Sequence, residues 1–279
     1  MPIINADEFA QALDQTNVVI IDARGGADAA MQYRTAHVGG ALRVDLEADL
    51  SDKKKDPAEG GRHPLPRPSQ FSAVLSRLGI TPESHVIAYD DKSGANAAAR
   101  FWWMMKAVGH SQIAVVGATM EGMRKAGVTF TSDESITPRP AFYPVHQWNF
   151  PTVTLADVEK ASSDPGQLVI DVRENFRYRG EREPIDLIAG HIPGAINVPY
   201  TENLSDNGDF LPIEKLRSKY ENIISSLDPN QIIVHCGSGV TACHTLLAMD
   251  SAGIHGAGLY VGSWSEWSRN GKGIATAER

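Results

Sequence analysis

What most constrains the fold of this chain is that it repeats itself once, in the same order and at nearly constant spacing. Val18-Val19-Ile20-Ile21-Asp22-Ala23-Arg24 answers to Leu168-Val169-Ile170-Asp171-Val172-Arg173. Ala36-His37-Val38-Gly39-Gly40-Ala41 answers to Gly190-His191-Ile192-Pro193-Gly194-Ala195, and His85-Val86-Ile87-Ala88-Tyr89-Asp90 to Gln231-Ile232-Ile233-Val234-His235-Cys236. Val115-Val116-Gly117-Ala118 then matches Tyr260-Val261-Gly262-Ser263. The offsets are 149 for Asp22 to Asp171, 154 for His37 to His191, 146 for Asp90 to Cys236 and 145 for Gly117 to Gly262.

Each half carries short apolar runs of the kind a buried parallel strand shows. They alternate with helical stretches such as 95–108 and 240–251, so each half reads as βαβ units on a parallel sheet. The expected fold class is α/β, with two tandem domains, each a parallel sheet flanked by helices. A length of 279 residues, 42% of them hydrophobic, suffices for two cores. Ser132, Asp133, Pro138, Pro140, Pro144 and Pro151 break both periodicities. The expected organisation is therefore a first domain over 1–138, a stiff linker over 139–150 and a second domain over 151–279.

A net charge of -8 argues against nucleic acid or an anionic membrane as partner. The first residues lack a basic and apolar leader pattern, and no stretch offers about 18 uninterrupted apolar residues. A cytoplasmic protein is expected. Its two cysteines, Cys236 and Cys243, are seven apart. That is too few for a disulfide framework and is not the spacing of a redox or zinc pair, so no metal is expected and both thiols should be free.

Cys236 ends a strand and precedes Gly237-Ser238-Gly239-Val240-Thr241-Ala242, which opens a helix. Ligands bind α/β sheets at such strand-to-helix turns, where small residues let backbone N–H groups converge on an anion. A helix N-terminus adds to that preference for negative charge, so Cys236 reads as an anion-cradled nucleophile rather than a buried structural cysteine. His235-Cys236 also begins like the His-Cys-x5-Arg signature of phosphatases. Position 242 is Ala, however, so the bidentate clamp for a phosphoryl group is missing.

The loop Cys236–Thr241, the Gly190–Ala195 segment and Gly262-Ser263-Trp264-Ser265-Glu266-Trp267 together resemble the tandem rhodanese-type sulfurtransferases over nearly the whole chain. The resemblance implies sulfur transfer through a Cys236 persulfide, from a small-molecule sulfur donor to a thiol, thioredoxin-like or cyanide acceptor, with no cofactor. A non-enzymatic persulfide carrier or sulfide-sensing module is the alternative of another class. The resemblance also implies a first domain without the nucleophile, Asp90 standing at or beside the matching place, and a first half that packs against the site. Loops reading Cys-Gly-Ser-Gly-Val-Thr in this family go with 3-mercaptopyruvate as donor. Gly237 and Ser238 also lack the two positive charges that would suit thiosulfate. The stretch from Arg177 to Asp186 instead looks like bacterial enzymes labelled thiosulfate sulfurtransferases, because Ile185 stands where vertebrate mercaptopyruvate enzymes carry a second arginine.

By the same resemblance Arg177 is the donor-binding arginine, with Arg182, or Arg179 close by, substituting for the missing second one. Gly237, Gly239, Val240 and Thr241 complete the substrate-binding loop. Ser238 and His63 fall where mercaptopyruvate enzymes place a serine and a histidine beside the cysteine, with Asp45 or Glu47 as the acid. A solvated loop histidine is an equal reading of His63. His37, His191, Asp22 and Asp171 recur in both halves and are expected to be structural. Trp102, Trp103, Trp264 and Trp267 should fill cores or the domain interface, and Cys243 should be a small buried residue of the helix.

Overall fold

The structure, a computed structural model, describes residues 1–137 and 139–276. Pro138, the last residue of the expected first domain, and the last three residues, the end of the expected second domain, lie outside the described residues. The chain divides into two compact units. The first holds 1–51, 66–149 and 205–210; the second holds 52–65, 150–204 and 211–279. A segment from each half of the sequence therefore belongs to the other half's unit. This exchange is invisible to periodicity, because both segments are loops.

In the first unit the strands are β1 (Ile3–Ile4), β2 (Val18–Asp22), β3 (His37–Val38), β4 (Leu42–Arg43), β5 (His85–Tyr89), β6 (Ile113–Val116) and β7 (Phe130–Thr131). Its helices are α1 (Ala6–Ala12), α2 (Ala29–Thr35), α3 (Pro68–Arg77), α4 (Ala98–Ala107) and α5 (Met120–Lys125). Five strands form a parallel sheet in the order β1-β6-β5-β2-β4, while β3 pairs antiparallel with β7. The apolar runs become the central strands, and α1 packs its buried Phe9 into a core with Ile20, Ile87, Tyr89, Val116 and Met123. Burying each such side chain contributes roughly 1.5 to 3 kcal/mol. Asn5 opens α1 with a capping box to Glu8.

The second unit repeats the plan. Its strands are β8 (Thr152–Val153), β9 (Leu168–Asp171), β10 (Ile196–Asn197), β11 (Ile232–His235) and β12 (Gly258–Tyr260). Its helices are α6 (Leu155–Ala161), α7 (Asn175–Tyr178), α8 (Ile213–Ile224), α9 (Thr241–Ser251) and α10 (Ser263–Trp267). The all-parallel order β10-β9-β11-β12-β8 matches the first sheet strand for strand. Thr154, capping α6 with Asp157, stands where Asn5 does. Trp264 and Trp267 are buried in this unit's core with Val158, Val169, Ile192 and Tyr260.

Strand register fixes the correspondence between the halves. Asp22 lies opposite Tyr89, and Asp171 opposite His235, so Asp90 and Cys236 occupy equivalent positions at the ends of β5 and β11. Ala88 lies opposite Val115 and Val234 opposite Leu259, which makes Thr119 the counterpart of Ser263. That is one residue away from the pairing of Gly117 with Gly262 that the apolar pattern suggests, since glycine-flanked runs align equally well in either frame. The recurring polar residues hold the repeat together. Arg24 forks onto Asp22, and Arg173 onto Asp171, at 3.0 Å from Nε in each case. His37 and His191 stack on Tyr33 and Tyr178, with centroids 4.0 and 3.7 Å apart, and each hydrogen-bonds its tyrosine's carbonyl through Nδ1.

One helix starts later than its pattern suggests. The first stretch is helical only from Ala98, because the Asp90 carboxylate gathers the amides of Lys92, Gly94, Asn96 and Ala98 and keeps 92–97 as a turn. Among the described residues no helix is long and apolar enough to cross a membrane.

Candidate active site

β11 delivers Cys236 to the C-terminal edge of the second sheet, and α9 starts at Thr241 after the Val240 cap. The loop between them is held by the turn that opens α10. Cys236 donates its N–H to Ser263 Oγ at 3.2 Å and accepts from the Trp264 amide at 3.0 Å, while the Gly237 carbonyl accepts from the Ser265 amide at 2.9 Å. Ser263 takes φ +53° to do this and passes its own proton to the Tyr260 carbonyl at 2.8 Å. Gly239 sits at φ +73° with Val261 O 2.5 Å from where a Cβ would stand, so no side chain fits there. Cys236 is 3% exposed and Ser238 6%, so the loop presents its sulfur in a nearly enclosed place.

The segment 52–65, grouped with the second unit, brings His63 to this loop. His63 Nδ1 and Ser238 Oγ are hydrogen-bonded at 2.8 Å, both side chains being buried. The reading of His63 as a solvated loop residue is thereby excluded. The segment is anchored by Gly60 N–H to Glu266 Oε1 at 2.9 Å, Arg62 N–H to Ser265 Oγ at 3.0 Å and Asn270 Nδ2 to the Ala58 carbonyl at 3.0 Å. Asp45 and Glu47 belong to the first unit, where the Asp45 carboxylate is engaged by Arg43 and by the amides of Glu47 and Ala48. Within the second unit the Asp52 amide donates to the Pro64 carbonyl, next to His63 in the chain, at 3.0 Å.

Arg177, on α7, is buried and surrounded by carboxylates. Its Nε lies 3.1 Å from both Glu183 oxygens, its Nη2 2.9 Å from Glu183 and 3.3 Å from Asp186, and its Nη1 3.4 Å from Glu174. Burial opposes the charge on Arg177, but Glu183, Glu174 and Asp186 outweigh it and hold the guanidinium's pKa above the ordinary arginine value. Burial would likewise raise Glu183, yet Arg177 and the amides of Asp186 and Ile185 keep its carboxyl below the usual range. Asp186 is fully buried as a side chain and joins three guanidinium groups, those of Arg62, Arg177 and Arg269.

A side chain at Gly237 would meet Arg62 Nη2 at 3.0 Å, Arg177 Nη2 at 3.3 Å and Asp186 Oδ2 at 3.4 Å. The two guanidinium groups over the second loop position thus come from Arg177, as the sequence suggests, and from Arg62, which it does not. Arg182 is exposed, with its guanidinium 5.0 Å above the Phe176 ring, and Arg179 pairs with Glu181 at 3.0 Å. Closeness in sequence to Ile185 misleads here, because α7 ends at Tyr178 and Gly180, at φ +79°, redirects the chain.

His235, the residue before the cysteine, is fully buried. Its Nδ1 is 3.2 Å from the Cys236 carbonyl and its Nε2 3.8 Å from Asp171 Oδ2. Burial, more than the opposing Asp171 charge, lowers its pKa and keeps the ring neutral. Cys243 is buried in α9, its S–H donating to the Gly239 carbonyl at 3.3 Å. Ala242 is fully buried, which leaves no phosphoryl clamp at the position where a phosphatase would place one.

The Rhodanese-like domain pattern matches twice, over residues 5–125 and 154–270. A 3-mercaptopyruvate sulfurtransferase of Escherichia coli is 34% identical over 95% of this chain and 94% of its own length. A thiosulfate sulfurtransferase of Gallus gallus is 31% identical over 86% of this chain and 81% of its own. The solved structure of the 3-mercaptopyruvate sulfurtransferase from Leishmania major superimposes with a TM-score of 0.83 at 29% identity, covering 96% of this chain and 74% of that one. The repeated sheet, the cysteine loop at the end of β11 and these likenesses place the chain in the rhodanese-like family of sulfurtransferases, in its two-domain form.

Proposed function

We propose that the protein moves sulfane sulfur from 3-mercaptopyruvate to a thiol, a reduced thioredoxin or cyanide through a Cys236 persulfide. The observation that carries this reading is the 2.8 Å hydrogen bond joining Ser238 of the cysteine loop to His63. A 2-oxo acid donor needs such a proton relay, whereas thiosulfate, which leaves as sulfite, does not. The Cys236 thiolate forms a bond to the donor sulfur, the donor's C3–S bond breaks, and its electron pair becomes the enolate of pyruvate. C3 of that enolate takes a proton through the Ser238 hydroxyl from His63, giving pyruvate and Cys236–S–SH. An acceptor thiolate or cyanide then attacks the outer sulfur and returns the electron pair to Cys236. The loop's N–H groups and the start of α9 support the negative charge that both sulfur species carry.

Thiosulfate is the second donor reading, favoured by the likeness to the chicken thiosulfate sulfurtransferase. Measuring kcat/KM for both donors decides between them, since discrimination is a difference in transition-state binding. Preference for mercaptopyruvate supports the proposal; preference for thiosulfate overturns it. Mass spectrometry of donor-treated enzyme should find one added sulfur on the peptide containing Cys236, and parallel double-reciprocal lines should accompany it. Intersecting lines would mean a ternary complex and no free persulfide enzyme.

A further inference from the structure

We infer that Cys243 is a positioning residue for sulfur transfer: its thiol holds the Gly239 carbonyl and, through that peptide, aims the Val240 N–H at the sulfur on Cys236. The inference rests on the reading of Cys236 as a persulfide carrier. In a regular α-helix the Gly239 carbonyl would take the Cys243 amide, four residues on. That amide donates to the Val240 carbonyl at 3.0 Å instead, and the Cys243 S–H reaches the Gly239 carbonyl at 3.3 Å. A side chain thus closes the first turn of α9 where backbone ordinarily would. The peptide from Gly239 to Val240 is trans, so its carbonyl and its N–H point opposite ways. With the carbonyl fixed toward α9, the Val240 N–H turns back out of the helix toward the loop that Cys236 begins. Val240 is buried, and its N–H has no protein acceptor among the described residues. A buried N–H seldom stays unpaired, so this one marks a place for an acceptor that comes and goes.

The first half shows where such an N–H points. Gly94 stands four residues after Asp90, as Val240 does after Cys236. It follows Ser93 at φ +50°, as Val240 follows Gly239 at φ +73°. The Gly94 N–H donates to Asp90 Oδ1 at 2.8 Å. There the carboxylate holds the amide permanently, and the position matching Cys243 is Ala97. A sulfur that is loaded and removed in each turnover cannot hold its loop in that way, so the second loop needs a fixed holder on the other side of the same peptide. Cys243, fully buried in α9, supplies it.

The experiment compares wild type, Cys243→Ala and Cys243→Ser in single-turnover sulfur loading from mercaptopyruvate, with the amide NMR signal of Val240 followed before and after loading. A serine hydroxyl bonds readily to the carbonyl four residues back in a helix, so Cys243→Ser keeps the holder while Cys243→Ala removes it. We expect Cys243→Ala to load about 10- to 30-fold more slowly, as the loss of a hydrogen bond to a charged atom implies, with KM for the donor within about twofold. Cys243→Ser should stay within about threefold of wild type. On loading, the Val240 N–H signal should move downfield in wild type and stay in place in Cys243→Ala. Wild-type loading rates in Cys243→Ala, or a Cys243→Ser variant as slow as the alanine one, would overturn the role of Cys243. So would a Val240 signal that ignores loading in wild type, a measurement that needs no variant to fold, or one that follows it in Cys243→Ala. Wild-type enzyme whose Cys236 peptide gains no sulfur would overturn the persulfide reading as well.

Discussion

Register puts Asp90 and Cys236 at the same point of two matching sheets, yet the loops that follow are held in opposite ways. After β5 the loop is organised from within: Asp90 Oδ1 accepts from Lys92 and Gly94, Oδ2 from Asn96 and Ala98, all between 2.8 and 3.1 Å. After β11 the loop is organised from outside, by Ser263, Trp264 and Ser265. The first half shows that a strand end of this geometry gathers converging amides around an anion, and there the anion is a side chain. In the second half external anchors do the holding, so the residue at the centre can be a thiol that gains and loses a sulfur without unravelling its own loop.

The largest test of this contrast exchanges the two residues. Cys236→Ser should reduce sulfur transfer to background, and adding Asp90→Cys to that variant should not restore it. Lys92 stands where Ser238 does relative to the cysteine, so the first loop has no hydroxyl to pass a proton. Sulfur transfer by the double variant, in a thiocyanate assay, would break the contrast. Ser238→Ala should lower kcat with mercaptopyruvate by about 100-fold, as removal of a proton relay does. His63→Ala in the same background should add little, because the pair acts as a unit. Additive losses would separate their roles.

Stability gives the next test. Burial pushes Asp90 up to about 6, against the amides of Lys92, Ala98 and Gly94 that hold it down. Its folded pKa thus lies above the unfolded value near 3.9, so folding favours the protonated acid. That contribution is full below pH 4, fades as pH rises to 6 and is gone above. The difference in unfolding free energy between wild type and Asp90→Asn should therefore shift against wild type by roughly 2 kcal/mol between pH 4 and pH 7. Denaturant titrations at the two pH values measure it, and a flat difference would mean that the four amides already hold the carboxylate ionised throughout. Smaller again, Asp186→Asn adds one positive charge beside Gly237 and should move the kcat/KM ratio toward thiosulfate by about tenfold.

How much of this is legible in the sequence follows from what each feature depends on. The doubled sheet is, because apolar strands such as Ile232–His235 are local patterns, and the cysteine loop is, because glycines on both sides of Ser238 mark a turn that only small residues can make. His63 was reachable only through the family resemblance, since nothing nearby distinguishes it from any other loop histidine. Arg62 and Asp186 were not legible. They are separated by 124 positions and meet because 52–65 belongs to the second unit. The sequence points to Arg182 or Arg179 because adjacency along the chain is easy to see, while the direction of a guanidinium depends on the turn that precedes it.

Ser263 makes the smallest and most discriminating test. Its counterpart by register, Thr119, has φ -68° and turns its hydroxyl inward to cap α5 through the Gly122 amide. Ser263 instead takes φ +53°, and its hydroxyl leaves its own helix to hold Cys236 N–H. Such a backbone costs about 1 kcal/mol in a residue with a Cβ. Ser263→Ala keeps that cost and loses the bridge between Cys236 and Tyr260, so it should destabilise by about 1 to 2 kcal/mol. Ser263→Gly loses the same bridge but relieves the strain, so it should be about 1 kcal/mol more stable than the alanine variant. Both should slow persulfide formation by a similar small factor, because both free the Cys236 amide. If glycine restores the rate as well as the stability, the backbone turn rather than the hydroxyl positions the cysteine. The two loops would then differ in conformation alone and not in how they are anchored.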